Sequence, residues 1–458
     1  MKRLLMLLGT LAVSACTHTP PFTAEGERCE IVRYSLETPL PGERPMSSIL
    51  EEGRGDILLL SGGSQNGAFG AGFLDGWHRS GTMPEFRLVT GVSTGALQAT
   101  GVFIGRPDLT VAGYTIESES DLLDAYVEGS DIAGGLSLGA ALTAIRRGAI
   151  SDLVPLRRRL DTLFTPQVLE AVAARYDPSG SDPDGGAYLL AGATDVDLGQ
   201  AVAFDMTELA YRYAAAPEGS ERRRLKDCYI EALIASSVVP PAARPVFIDN
   251  RIYIDGGVRG AVFDDRIASI LADNWVLPPL ARAEPAPRPQ PDPDAAPVQR
   301  LLLDPLPTAL RDQPSFYILL NSTGETRSEC GKVDPADCVP ITSTSGQLQD
   351  WDIISLAFRT VDLLVDQVER LSIDRASERA RDLLARRFFA RIRADELDDP
   401  ARRFVIPDFD GARTCVEWLE VDIADDDPLE FNRRYMRCLI EYGRERGAAQ
   451  DWDARPLR

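Results

Sequence analysis

Ile57-Leu58-Leu59-Leu60-Ser61-Gly62-Gly63-Ser64-Gln65-Asn66-Gly67 is the stretch from which the fold can be read. Four consecutive apolar residues suit a strand buried on both faces, the glycines and small polar residues suit a turn, and the small-residue run from Ala68 to Arg79 suits a helix. The unit repeats at once. Phe86-Arg87-Leu88-Val89-Thr90 reads as a second strand, Gly91 to Gly95 as a sharp turn and Ala96 to Ile104 as a helix. Successive strand–turn–helix units imply an α/β fold in which helices cover a mostly parallel central sheet. Working outward, further strands are expected at Ala187 to Ala193, Gln200 to Phe204, Pro245 to Ile248, Ile252 to Ile254 and Phe316 to Asn321, with a helix over Arg224 to Ala235. The turn Asp249-Asn250-Arg251 would join two of these strands as a hairpin.

Composition limits the classes of function. The chain has 458 residues, 44% hydrophobic and 26% charged, which is enough apolar material for a sizeable core and excludes disorder throughout. With 70 Asp+Glu against 49 Lys+Arg the formal net charge is -21, the wrong sign for a nucleic-acid partner. An anionic bilayer would also repel this body, so membrane attachment would need a tether. The amino end offers one. Lys2 and Arg3, the apolar run Leu4 to Val13 and then Ser14-Ala15-Cys16 have the layout of a secretory signal peptide, and the run is too short to span a bilayer. Leu11-Ala12-Val13-Ser14-Ala15-Cys16 resembles a bacterial lipobox, which implies cleavage before Cys16, lipidation of its thiol and residence in the cell envelope, at the periplasmic or outer-membrane face.

The cysteine count fits that reading. Seven is odd, and setting Cys16 aside for lipid leaves Cys29, Cys228, Cys330, Cys338, Cys415 and Cys438 for up to three disulfides in an oxidising compartment. Cys330 with Cys338, flanking one short loop, and Cys415 with Cys438 are the pairs that spacing favours. Metal is not expected, because no CxxC is present and the two histidines are His18 and His78.

The chemistry centres on Gly91-Val92-Ser93-Thr94-Gly95, a G-x-S-x-G between a strand and a helix. Such a turn lifts a serine to the sheet edge, and the helix N-terminus behind it favours developing negative charge. A nucleophilic serine needs a base. His18 lies in the tether and His78 near the end of the first helix, so a Ser-His-Asp triad has no histidine to use and a carboxylate must act directly. Asp255 fits best, since it follows the strand Ile252-Tyr253-Ile254 and precedes Gly256-Gly257; Asp195 and Asp197 compete for the role. An aspartate with an ordinary pKa of about 3.9 is a weak base unless burial raises it. The loop Ser61 to Gly67 can present consecutive amides to an oxyanion, and it lacks the Gly-Lys-Ser/Thr ending of a nucleotide-binding loop.

Glycine loop, G-x-S-x-G and D-G-G, in that order over residues 55 to 260, closely resemble the patatin-like phospholipase family. The resemblance extends to Ser236-Ser237-Val238-Val239-Pro240 before the aspartate strand. It implies a three-layer α/β/α fold and a cofactor-free Ser-Asp dyad that hydrolyses acyl esters of lipids. Ser93 would be nucleophile, Asp255 base, and the amides of Gly62, Gly63 and Ser64 the oxyanion hole, with Gly67, Gly91, Gly95, Gly256 and Gly257 shaping the motifs. Two positions depart from the family pattern: Ser64 stands where a third glycine is usual, and Asn66 where a basic residue is usual.

The expected organisation is a signal peptide over 1–15, a lipidated tether over 16–47, a catalytic domain over 48–327 and a C-terminal, mainly helical appendage over 328–458 packed on it. Within the catalytic domain, 278–297 holds eight prolines in 20 positions and reads as an exposed insertion. An apolar stripe, Ile354, Phe358, Val361, Leu364, Val365, Val368 and Leu371, reads as a packed helix face, and Phe404-Val405-Ile406 as a short strand. The expected partners are a lipid or phospholipid substrate and, through the anchor, a membrane. Two rivals to an acyl hydrolase remain: a non-catalytic lipid-binding envelope lipoprotein of the same fold, and a structural envelope protein whose C-terminal helices bind a partner.

Overall fold

The computed structural model describes residues 28–35, 43–45, 55–127, 143, 146–178, 186–260, 315–323, 367–368, 371 and 386–453. The strands are β1 (Arg33–Ser35), β2 (Arg44–Pro45), β3 (Asp56–Leu60), β4 (Phe86–Val92), β5 (Asp124–Ala125), β6 (Ser151–Asp152), β7 (Tyr188–Asp195), β8 (Gln200–Asp205), β9 (Val246–Ile248), β10 (Arg251–Asp255), β11 (Ser315–Leu319), β12 (Arg386–Ala390), β13 (Phe404–Val405) and β14 (Ala412–Arg413). The helices are α1 (Gly67–Arg79), α2 (Thr94–Phe103), α3 (Pro107–Tyr114), α4 (Val154–Leu163), α5 (Pro166–Ala173), α6 (Met206–Ala215), α7 (Ser220–Ser237), α8 (Ala394–Leu397), α9 (Cys415–Asp426) and α10 (Arg433–Ala448).

Among the described residues ten strands form the central sheet in the order β12-β11-β3-β4-β7-β8-β1-β2, with the β9–β10 hairpin attached to β7. From β12 to β7 every pairing is parallel. β8 then runs antiparallel to β7, and β1 antiparallel to β8. Parallel strands need both faces covered, and the burial shows this: Leu58, Leu60, Val89 and Leu189 sit in one core, while Ile57, Leu59, Leu88 and Leu190 sit in another. β10 pairs with β7 at Ala193 to Asp195, where the β4 pairing has ended at Gly192. The hairpin turn places Asp249 at φ 52° and Asn250 at φ 61°, the two consecutive left-handed residues that a tight primed turn requires.

Part of the expected tether is built into the body. β1 covers the outer edge of β8, which would otherwise offer unpaired backbone to another chain. The preceding residues are held twice, by a Cys29–Cys228 disulfide to α7 and by the Asp249 carboxylate, which accepts the amides of Cys29, Glu30 and Ile31 at 2.7, 2.7 and 3.2 Å. A second disulfide, Cys415–Cys438, joins α9 to α10. The signal peptide with Cys16, the Pro-rich segment 278–297, Cys330, Cys338 and most of the 354–371 stripe lie outside the described residues. Of that stripe Val368 and Leu371 are described; Leu371 is 41% exposed and so is not on a packed face, which nothing in the structure explains.

The chain beyond residue 328 does more than lie against the domain. β12 extends the central sheet past β11, and α10 packs along α1 with almost no side chain between the two backbones. A Cβ at Gly72 would stand 2.0 Å from the Ile440 carbonyl oxygen, and one at Gly443 2.2 Å from that of Phe69. Gly76 and Gly447 meet Arg444 and Phe73 in the same way, at 2.1 and 2.0 Å. Among the described residues no helix is long and apolar enough to cross a membrane.

Alanine is the better helix former by about 1 kcal/mol, so an exposed Gly→Ala change would stabilise. Here Gly72→Ala and Gly443→Ala must push two backbones apart, and each is expected to cost on the order of 3 kcal/mol. Thermal or denaturant unfolding checks the sign; a neutral or stabilising result would mean that the helices are not in this close contact.

Candidate active site

The site lies at the carboxyl ends of the parallel strands, the usual crevice of an open α/β sheet. β4 ends at Val92, and Ser93 turns the chain into α2 with φ 53° and ψ -125°, a conformation costly for a residue with a side chain. The turn works because its neighbours are glycines. A Cβ on Gly91 would fall 2.3 Å from the Gly95 carbonyl oxygen, and one on Gly95 would fall 2.3 Å from that of Leu60. Ser236, fully buried at the end of α7, accepts the Ser93 amide at 2.9 Å and donates to the Gly192 carbonyl at 2.5 Å. The Ser93 turn is thereby fixed to β7.

Asp255 closes β10 and is 4% exposed. Its amide donates to the Val238 carbonyl at 2.8 Å, and its carbonyl accepts the Thr194 hydroxyl at 3.0 Å, so its backbone is held from two sides. Its carboxylate accepts the Gly257 amide at 2.6 Å and lies beside the Ser93 side chain, which favours its charged form. Burial pushes the Asp255 pKa up from 3.8 to about 6, against the opposing pull of the Ser93 side chain and the Gly257 amide. Gly256 allows the close turn, since a Cβ there would come within 2.6 Å of the Gly192 carbonyl oxygen.

The glycine loop lies over this pair. A Cβ on Gly62 would meet the Ser93 Cβ at 3.2 Å and its Oγ at 3.9 Å. Gly63 has φ 147° and Ser64 φ 50°. Among the described residues no acceptor takes the amides of Gly62, Gly63 or Ser64, which leaves them available to a ligand. The loop is fastened at both ends. Asn321, fully buried beyond β11, donates its Nδ2 to the Ser61 carbonyl at 2.8 Å, and Gln98 on α2 donates its Nε2 to the Gly67 carbonyl at 2.7 Å. The two amides also meet each other, and the Thr94 hydroxyl donates to the Ser64 carbonyl at 2.7 Å.

Residues 58–263 match the family model described as patatin-like phospholipase. This span is a patatin-like phospholipase domain. No curated protein matches the chain. The patatin-like domain thus runs from β3 to just past the Asp255 turn.

Within the domain the competing acids are placed elsewhere. Asp195 is fully buried but accepts the Leu198 amide at 3.1 Å and pairs with Arg251 at 2.9 Å, which commits it to the β7–β8 turn. Asp197 is exposed on that turn, and His78 is exposed near the end of α1. Sequence reasoning missed Gln98 and Asn321, although the polar residue ending an apolar strand at Asn321 was a usable signal. Ser236 entered through the family resemblance, without the role its hydroxyl plays here.

A buried carboxyl that holds its proton up to about pH 6 when folded, but only to about 3.8 when unfolded, stabilises the fold below about pH 4. That contribution is lost as pH rises through about 6, and the difference is on the order of 3 kcal/mol. Asp255→Asn should therefore unfold at a higher temperature than wild type at pH 8, with the gap closing towards pH 4. Parallel stability curves for the two proteins over that range would contradict the burial argument.

Proposed function

We propose that this chain is a serine acyl hydrolase that cleaves acyl esters of lipids through Ser93 and Asp255. The observation that carries the reading is the placement of the Ser93 side chain beside a buried carboxylate whose pKa is raised to about 6. That shift brings an aspartate close enough to neutral pH to act as a general base, and among the described residues no imidazole stands between the two.

In this mechanism the Ser93 Oγ attacks the ester carbonyl carbon while its proton passes to Asp255. The carbonyl oxygen becomes an oxyanion, which the amides of Gly62, Gly63 and Ser64 receive, with the α2 N-terminus adding favourable potential. Collapse expels the alcohol, protonated by Asp255, and leaves an acyl-enzyme on Ser93. Water then loses a proton to the same carboxylate and attacks the acyl carbon. Its collapse returns the proton to Ser93 and releases the carboxylic acid. Every proton that leaves an oxygen passes through Asp255, so one residue serves as base and acid in turn.

The setting we propose is the cell envelope, with Cys16 as lipid anchor. The signal-peptide pattern of residues 1–16 supports it, and so do the Cys29–Cys228 and Cys415–Cys438 disulfides, which suit an oxidising compartment. Cys29 follows Cys16 by thirteen residues and is fixed to α7, so a membrane anchor would hold the domain within roughly 45 Å of the bilayer surface.

Fatty-acid release from phospholipids and simple acyl esters tests the proposal. Wild type should turn over, while Ser93→Ala and Asp255→Asn should fall by about 10³-fold or more. The rate at low substrate should rise with pH and level off above about 6 as Asp255 loses its proton. A wild type that retains lipid without hydrolysing it would replace the enzyme with a lipid-binding protein.

A further inference from the structure

Three successive residues of the glycine loop reach the same short segment of chain, from Glu430 to Tyr435 between α9 and the first turn of α10. The Ser64 hydroxyl donates to the Glu430 carboxylate. The Gln65 side-chain oxygen accepts both the amide and the Nδ2 of Asn432 at 3.1 Å. The Asn66 side-chain oxygen accepts the Tyr435 hydroxyl at 3.3 Å. The partners are 366, 367 and 369 residues away in sequence and lie outside the matched span of 58–263.

The segment is itself braced. The Glu119 carboxylate, before β5, accepts the amides of Leu429, Glu430 and Phe431 at 2.8, 2.6 and 2.7 Å. Asp422 on α9, fully buried, accepts the amides of Arg434 and Tyr435 at 2.8 and 3.0 Å, and the Cys415–Cys438 disulfide ties the two helices together. Glycine contacts with α1 then fix α10 to the helix that the loop begins. A segment held this firmly can hold something else.

What it holds is a loop under strain. Ser64 sits at φ 50°, in the left-handed region that a residue with a Cβ enters only at a cost and that glycine enters freely. The two positions that depart from the family pattern, Ser64 and Asn66, are two of the three that make these bonds. We propose that Glu430, Asn432 and Tyr435 are positioning residues for the oxyanion loop, holding the amides of Gly63 and Ser64 in their receptive orientation from outside the patatin-like domain. The inference rests on the Ser93–Asp255 hydrolase reading. The Glu430 carboxylate is spent on the Ser64 hydroxyl, and its exposure to water screens its charge from the developing oxyanion.

The test uses the full mature chain and a simple acyl ester. Alongside kcat and KM it measures the affinity of an acyl trifluoromethyl ketone, whose adduct with Ser93 carries an oxyanion. Glu430→Ala should lower kcat about tenfold and weaken the ketone by a similar factor, with KM within twofold. Glu430→Gln, which still offers an oxygen to Ser64, should restore both to wild type or above. Ser64→Ala should match Glu430→Ala, and the double variant should be no worse than either, because both remove one bond. The positioning role is overturned if Glu430→Ala and Tyr435→Phe lower the unfolding temperature but leave kcat and ketone affinity unchanged, or if the Ser64 and Glu430 effects add. A wild type that neither turns over nor binds the ketone overturns the hydrolase reading as well, so the two failures are distinguishable.

Discussion

The site depends on backbones that approach where no side chain could intervene. Gly91 lies against Gly95, Gly95 against the end of β3, and Gly62 against Ser93. These contacts hold the chain in the left-handed bend that projects the serine, and they set β3 and β4 as parallel neighbours whose ends meet at one point. The glycine loop, the Ser93 bend and the β10 terminus converge there because β3, β4 and β7 stand side by side and β10 takes over β7 where β4 stops. A methyl group at Gly91 or Gly95 would displace backbone rather than a flexible side chain, and one at Gly62 would press on the Ser93 side chain.

Electrostatically, the site keeps a carboxylate where its charge is poorly tolerated. Among the described residues neither an imidazolium nor a basic side chain compensates Asp255; the Gly257 amide and the Ser93 side chain do so in part. Asp195 shows the alternative outcome on the neighbouring strand. It is equally buried, but its Arg251 partner and turn amide use its oxygens structurally. Two aspartates sixty residues apart in the chain face the same pair of strands and differ in what their oxygens are left free to accept.

Much of this was legible in the sequence because it is local. Strand, glycine turn and helix follow one another within about twenty residues, and the Asp249-Asn250 turn declares its hairpin through residues that accept positive φ. The fold class follows from the same pattern. The remainder depends on partners that local pattern does not name. β1 is three residues long and is a strand because β8 has a free edge beside it. Arg386-Arg387-Phe388-Phe389-Ala390 carries arginines on a sequence that would suit a helix, yet β11 draws it into the sheet. Gln98 and Asn321 join through amides 223 residues apart. Glycines spaced by four in both α1 and α10 hint at a close helix contact, but nothing in either segment says that they meet each other.

That helix contact also orders events in time. A ribosome delivers Gly72 and Gly76 hundreds of residues before Gly443 and Gly447, so α1 spends most of synthesis with its bare backbone stripe uncovered. β3 likewise waits for β11 to cover its outer side. The segment that carries serine, aspartate and glycine loop is thus finished long before it is braced, and the chain emerges with its chemistry encoded but its loop unsupported. Completion of the last helix is what braces the glycine loop, so the motif-bearing stretch alone lacks the contacts that hold Ser64, Gln65 and Asn66.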